Sequence, residues 1–218
     1  MNTIKHIFLA CIILTMSACA NDSTNNSPAK ENSANTPTDT KSTPIQTAKA
    51  TYQAFHSKVK PYTLYIPIGW TVKAHNKSGA LDAKAPEKTD TIDYQATILL
   101  NMRKARMAYN EESKKMEVQP MDLSENAKEY MEGLQRNFDE MNVSPIEDTK
   151  VGDEIGKVFT YTYLKEDEFV NRIKAATYIF QHNSETYILT FKEEAKNFEA
   201  MQPIFEEIKN SFQFKSTN

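Results

Sequence analysis

Positions 94, 96, 98, 100 and 102 hold Tyr, Ala, Ile, Leu and Met. An apolar residue at every second position from Tyr94 to Met102 predicts a strand with one buried face. Tyr62-Thr63-Leu64-Tyr65-Ile66 alternates in the same way and stops at Pro67, which predicts another. Gly69 then permits a turn, and Trp70-Thr71-Val72 resumes an extended run. Val158–Leu164, Arg172–Phe180 and Thr186–Phe191 predict a three-stranded meander. The polar stretches Lys165-Glu166-Asp167-Glu168 and His182-Asn183-Ser184-Glu185 are its turns. The meander strands are apolar on both sides, with Phe159, Tyr161 and Tyr163 on one face and Val158 and Leu164 on the other. A sheet apolar on both faces has to be covered on both.

Two segments carry the helical period needed for those covers. Leu123, Ala127, Tyr130, Leu134, Phe138 and Met141 step by four, three, four, four and three, which predicts a helix of roughly five turns. Asp122-Leu123-Ser124-Glu125 in front of it has the form of a capping box. Gly133 lies inside and weakens the helix by about 1 kcal/mol relative to alanine. Near the C-terminus, Phe198, Met201, Ile204, Phe205, Ile208 and Phe212 form a second stripe. Pro203 interrupts it, so the regular helix is expected to begin near Pro203 or to kink there. The stretch from Arg103 to Met121 is polar and contains several methionines, and is expected to be a long connection. The fold class is α+β: an antiparallel sheet sandwiched between helices.

The first fifty residues are of another kind. Lys5 and His6 precede an apolar run from Ile7 to Met16, too short to span a bilayer of about 30 Å as a helix. A basic start, a short apolar middle and small residues after it have the form of an export signal. Met16-Ser17-Ala18-Cys19 resembles the bacterial lipobox. That resemblance implies a diacylglyceryl group on the Cys19 sulfur and cleavage that leaves Cys19 as an acylated N-terminus. The competing reading is ordinary secretory cleavage near Ala18 or Ala20, with Cys19 incidental. The second cysteine, Cys11, falls within the discarded run, so the mature chain would hold one cysteine and neither an internal disulfide nor a thiolate zinc site. From Ala20 to Ala50 the chain is nearly all Asn, Ser, Thr, Pro, Ala, Lys and Asp, with Ile45 the only large apolar residue. Such a stretch buries too little surface to offset its ordering entropy. As a flexible tether of about thirty residues it would reach roughly 30 Å. The expected organisation is therefore residues 1–18 as lipoprotein signal, 19–50 as acylated N-terminus and disordered tether, and 51–218 as the globular domain.

The extended Tyr62–Ile66 followed by Pro67-Ile68-Gly69-Trp70 resembles the opening strand and P-x-G-W of PsbP-like domains. The helix from Leu123 and the ending Ile208-Lys209-Asn210-Ser211-Phe212 are similar to that family's central helix and terminal I-x-x-S-F. Lipobox, tether and such a domain in this order resemble the DcrB-like lipoproteins of bacteria. The resemblance implies an α/β/α sandwich and an accessory or binding module without catalytic residues or cofactor, as in the photosystem subunits and the Ran-binding protein of the family.

Composition narrows the classes further. Of 218 residues, 26 are Lys or Arg and 29 are Asp or Glu, a formal charge of −3 that argues against a nucleic-acid-binding protein. The five glycines form no phosphate-cradling pattern. His56, His75 and His182 remain after removal of His6, and no two share metal-ligand spacing, so no metal site is expected. Ser78-Gly79 lies in a polar loop and lacks the G-x-S-x-G context of a nucleophile. Glu166-Asp167-Glu168 and Glu111-Glu112 are expected to be solvated rather than calcium ligands. Trp70 is expected to plug the core edge rather than line a pocket. Met102, Met107, Met116 and Met121 are expected to fill core, with an adaptable binding lip as the alternative. Arg103, Lys104 and Arg106 are expected to be a solvated strand end, with contact to lipid headgroups or an acidic partner as the alternative. No residue is assigned a catalytic, cofactor or metal role, and Cys19 is the one assigned site, for lipidation. The function expected is a membrane-anchored, non-catalytic accessory lipoprotein that binds an envelope protein or complex. Absence of Asp after Cys19, where Ala20 stands, favours the outer membrane if the organism has one. The alternatives are a small-molecule or lipid carrier with a cavity between sheet and helices, and a hydrolase assembled in space.

Overall fold

The meander predicted between Val158 and Phe191 forms the centre of the molecule. The structure is a computed structural model that describes residues 50–87, 94–104, 106–119, 122–138, 140–166 and 170–215. The signal, Cys19 and the tether as far as residue 49 lie outside the described residues, as do Met121, Asp167 and Glu168. The chain order is β1 (Tyr52–His56), β2 (Tyr62–Pro67), β3 (Thr71–Ala74), β4 (Leu81–Lys84), β5 (Thr97–Arg103), β6 (Arg106–Asn110), β7 (Lys115–Gln119) and α1 (Leu123–Gln135). There follow β8 (Asn142–Val143), β9 (Glu147–Val151), β10 (Glu154–Glu166), β11 (Val170–His182), β12 (Glu185–Glu194), α2 (Phe198–Asn210) and β13 (Gln213–Phe214).

The main sheet has eight antiparallel strands in the order β3-β4-β5-β12-β11-β10-β8, with β9 also paired to β10. The meander strands are longer than their apolar cores predict, because pairing continues through polar positions to His182↔Glu185. Asn183 and Ser184 close that turn with φ of 48° and 63°, the left-handed pair of a two-residue hairpin turn. The strand predicted from Tyr94 starts only at Thr97.

Two cores sit on the two faces of this sheet. On one face Phe159, Tyr161, Tyr163, Ile173, Ala175, Ile179 and Ile188 pack under α1 through Ala127, with Tyr130 and Leu134 against them. A buried pair across β11 and β12, Thr177 and Thr190, joins hydroxyls at 3.0 Å on this side. On the other face Tyr178, Phe180, Tyr187, Leu189 and Phe191 pack under α2 and a second sheet, β1-β2-β13. Tyr62, Leu64 and Ile66 of β2 are fully buried there. The sandwich expected from the sequence is thus present, with a small sheet sharing one cover with its helix.

Each helix departs from its predicted bounds. The Asp122 carboxylate accepts the N–H groups of Ser124 (2.8 Å) and Glu125 (3.1 Å), so the N-terminal cap forms as predicted. The helix ends at Gln135, well short of five turns. Its stripe outlasts it: Phe138 still packs on Tyr163 with ring centroids 4.3 Å apart, and Met141 joins the same core. In α2 the helix does not begin near Pro203. The helix starts at Phe198 and carries Pro203 inside. A proline there removes the bond to the Glu199 carbonyl. Glu199 is exposed, so water can take that carbonyl, while burial of Phe198, Phe205 and Ile208 stabilises the helix on both sides of the proline.

The segment from Arg103 to Met121 is not the long connection its polarity suggested. It contains β6 and β7, a hairpin that among the described residues pairs with no other strand.

Candidate interaction surface

Four of the exposed large hydrophobic residues of the described domain, Met107, Tyr109, Met116 and Val118, lie together on the β6–β7 hairpin. Its turn is built locally. The Asn110 side chain accepts the N–H groups of Glu112 (2.9 Å) and Ser113 (3.2 Å), and Lys114 takes φ 56°. Asn110 Nδ2 donates to Glu117 at 2.7 Å, and Ser113 Oγ donates to the same carboxylate. These bonds, that from Ser113 first, hold the Glu117 carboxyl below its ordinary range. Register then places Met107 opposite Val118 and Tyr109 opposite Met116. Alternation puts all four on one face of the ribbon. Their exposures run from 48% to 55%. The opposite face carries Ala108, Lys115 and Glu117.

This corrects the reading of the methionines as core filling. Met102 does pack at the edge of the core, but Met107 and Met116 point outward. Tyr109 and Val118 were missed altogether. The signal was available: Met107-x-Tyr109 and Met116-x-Val118 alternate on either side of Asn110–Lys115, over too few positions to outweigh the surrounding charge. Arg103 and Lys104, at the base of the hairpin, are exposed, and the Arg103 guanidinium lies 5.1 Å from the centre of the Tyr130 ring.

Two clefts hold the histidines. One, of about 490 Å³, lies where β10, β11 and β13 meet, lined by Asp153, Glu154, His182, Asn183, Phe214 and Lys215 among others. His182 Nδ1 is 3.1 Å from Glu154 Oε1, and its ring stacks on Phe214 at 3.6 Å. A histidine oriented by a carboxylate is half of a catalytic pair, but no hydroxyl or thiol side chain is among the cleft's described lining. The second, of about 130 Å³, is lined by His56 and His75 with Phe55 and Gly79. His56 pairs with Thr63 across β1–β2 at 3.0 Å, and His75 with Asp82 across the β3–β4 turn at 3.1 Å. No group of three metal-ligating side chains occurs among the described residues. Ser78 Oγ accepts the Ala80 N–H at 3.1 Å and serves the turn. Trp70 is 9% exposed within the α2-side core, as expected.

The sequence matches no known family profile and no curated protein. Solved structures do match in shape. A cyanobacterial PsbP from Synechocystis sp. PCC 6803 aligns with TM-score 0.52 at 11% identity, over 78% of this chain and 96% of that one. The chain is built on the PsbP-like fold. LpqN of Mycobacterium tuberculosis, described as involved in cell envelope biogenesis, aligns with TM-score 0.50 at 11% identity, over 78% of this chain and 93% of its own. PA94 of Pseudomonas aeruginosa, of unknown function, aligns with TM-score 0.50 at 11% identity, over 77% and 99%. Cys19, the site predicted for lipidation, lies outside the described residues. Among the described residues no helix is long and apolar enough to cross a membrane.

Proposed function

We propose that this chain is a membrane-anchored lipoprotein of the cell envelope, with the layout of the DcrB-like lipoproteins, whose PsbP-like domain is a non-catalytic accessory or binding module for an envelope protein or complex. The observation that carries this reading is the filling of both layers. Phe191 stacks on Phe205 at 4.9 Å and Phe180 meets Phe212 at 5.0 Å between the main sheet and its α2-side cover, and on the other face Phe138 packs on Tyr163 at 4.3 Å. Aromatic side chains pack across both layers, which supports a domain that works through its outer surfaces. The Met16–Cys19 lipobox supports the anchor. Two or more acyl chains give a stable attachment where one gives only a reversible one. The tether then raises the local concentration of the domain at the membrane. Ala20 after Cys19 supports outer-membrane placement in an organism with two membranes. The description of LpqN agrees with an envelope setting.

A Cys19→Ser chain is expected to leave the membrane fraction, and the wild-type N-terminal peptide to carry the mass of its acyl chains. Unchanged membrane retention of Cys19→Ser would refute acylation as the attachment. Crosslinking in intact cells is expected to join the wild-type domain to an envelope protein; recovery of the bait alone would count against the accessory role.

A further inference from the structure

We propose that the apolar face of the β6–β7 hairpin docks on the lipid bilayer, with Met107, Tyr109, Met116 and Val118 seated among the headgroups of an anionic membrane. The proposal rests on the anchored-lipoprotein reading, which supplies the bilayer, and adds the surface by which the domain meets it.

Three observations select lipid as the occupant. First, among the described residues the hairpin pairs with no other strand, so its apolar face is a short ribbon without walls from a neighbouring strand. A protein partner gains most from burying an anchor in a shaped pocket. A bilayer interface needs no such shape; it needs apolar side chains, preferably with an amphipathic ring such as Tyr109 at headgroup depth. Second, the charge is of the right sign. Between Arg103 and Gln119 there are five cations (Arg103, Lys104, Arg106, Lys114 and Lys115) against Glu111, Glu112 and Glu117, in a chain whose formal charge is −3. Glu111 pairs with Lys114 at 3.1 Å, which takes up one cation with one carboxylate, and Glu117 is bonded by Asn110 and Ser113 within the turn. Arg103 and Lys104 at the base of the hairpin and Lys115 on the other face of the ribbon are exposed, and long basic side chains around a small apolar face add electrostatic attraction to anionic lipid. Third, about thirty tether residues separate Cys19 from β1, a reach of roughly 30 Å, comparable with the diameter of a domain of this size. A tether of that length lets any face turn toward the membrane, so a second contact is what would set the domain's orientation.

Tyr109→Trp places an indole on this face, and the buried Trp70 serves as the internal control. The purified chain is reconstituted with vesicles of phosphatidylethanolamine and phosphatidylglycerol that contain brominated acyl chains. The expected result is a blue shift and loss of most of the introduced indole's emission, with Trp70 emission in the unsubstituted chain unaffected. Adding Met107→Glu and Val118→Glu is expected to abolish the quenching while Trp70 emission still reports a folded core. Uncharged phosphatidylcholine vesicles are expected to give weaker quenching, as is raised salt. An introduced indole that stays unquenched in a chain whose Cys19 peptide carries lipid overturns the docking proposal and leaves the anchor standing. A blue shift that instead grows with protein concentration overturns it in favour of a second copy on this face. A Cys19 peptide without lipid overturns the anchor; the hairpin is then still read by quenching when the same chain is mixed with the vesicles. Equal quenching on phosphatidylcholine overturns the role of the charges.

Discussion

Gly152 shows how much one position can decide. It turns the chain between β9 and β10 at φ 56°, in the left-handed region that favours glycine. A Cβ built there would lie 1.9 Å from the carbonyl oxygen of Phe212, and the Gly152 N–H donates to the Lys209 carbonyl at 3.1 Å. The turn is therefore pressed against the end of α2. Gly152→Ala is expected to destabilise the domain by roughly 3 kcal/mol or more, the sum of backbone strain and a clash with backbone that cannot swing away. Chemical denaturation measures it, and a loss below about 1 kcal/mol would show that the turn and the helix end separate easily. Nothing in the local sequence around Gly152 announces this, since its contact lies some sixty residues on.

At the scale of elements, the cap of α1 was legible and the proline of α2 was misleading. Asp122 accepts the N–H groups of Glu125 and Ser124, which hold its carboxyl below the ordinary Asp range. A depressed folded pKa means stability that is present above the unfolded value, about 3.9, and is lost as pH falls through the folded one. Asp122→Asn keeps the acceptor but not the charge. Wild type is expected to melt at higher temperature than this variant at neutral pH, with the gap closing below about pH 4. Thermal melts across that range test it; a gap independent of pH would assign the cap no charge contribution. Pro203 lies where tertiary packing overrides propensity. Pro203→Ala restores the bond to the Glu199 carbonyl and is expected to stabilise the domain by roughly 2 kcal/mol net of the unfolded chain's gain in freedom. A destabilised variant would mean that the proline ring itself packs usefully. The hairpin β6–β7 escaped the sequence reading for a related reason: its alternation spans two short runs, and an exposed apolar face looks the same in sequence as a buried one.

For the whole molecule, the decisive feature is one sheet shared by two cores. Phe159 lies in the α1-side core and Phe205 in the α2-side core, and both cores are built on β11 and β12. Alanine at either position is expected to cost about 3–5 kcal/mol. Each is also expected to shift a single transition, because neither layer keeps its sheet face without the other. Trp70 lies only in the α2-side core, so its fluorescence and the far-UV circular dichroism are expected to trace the same curve in both variants. Separate midpoints would show two independently unfolding layers. What the sequence determined alone was set by periodicity: the meander, the two-faced apolar pattern that demands covers, the capped helix and the stripe of α2. Those follow from side-chain direction along a strand or helix, which is local. The partners of each face were decided only by the tertiary structure. It set β1-β2-β13 beside α2, ran the helix through Pro203, pressed Gly152 on Phe212 and left the β6–β7 face uncovered. Burial is a property of what arrives from distant parts of the chain, and no local pattern records it.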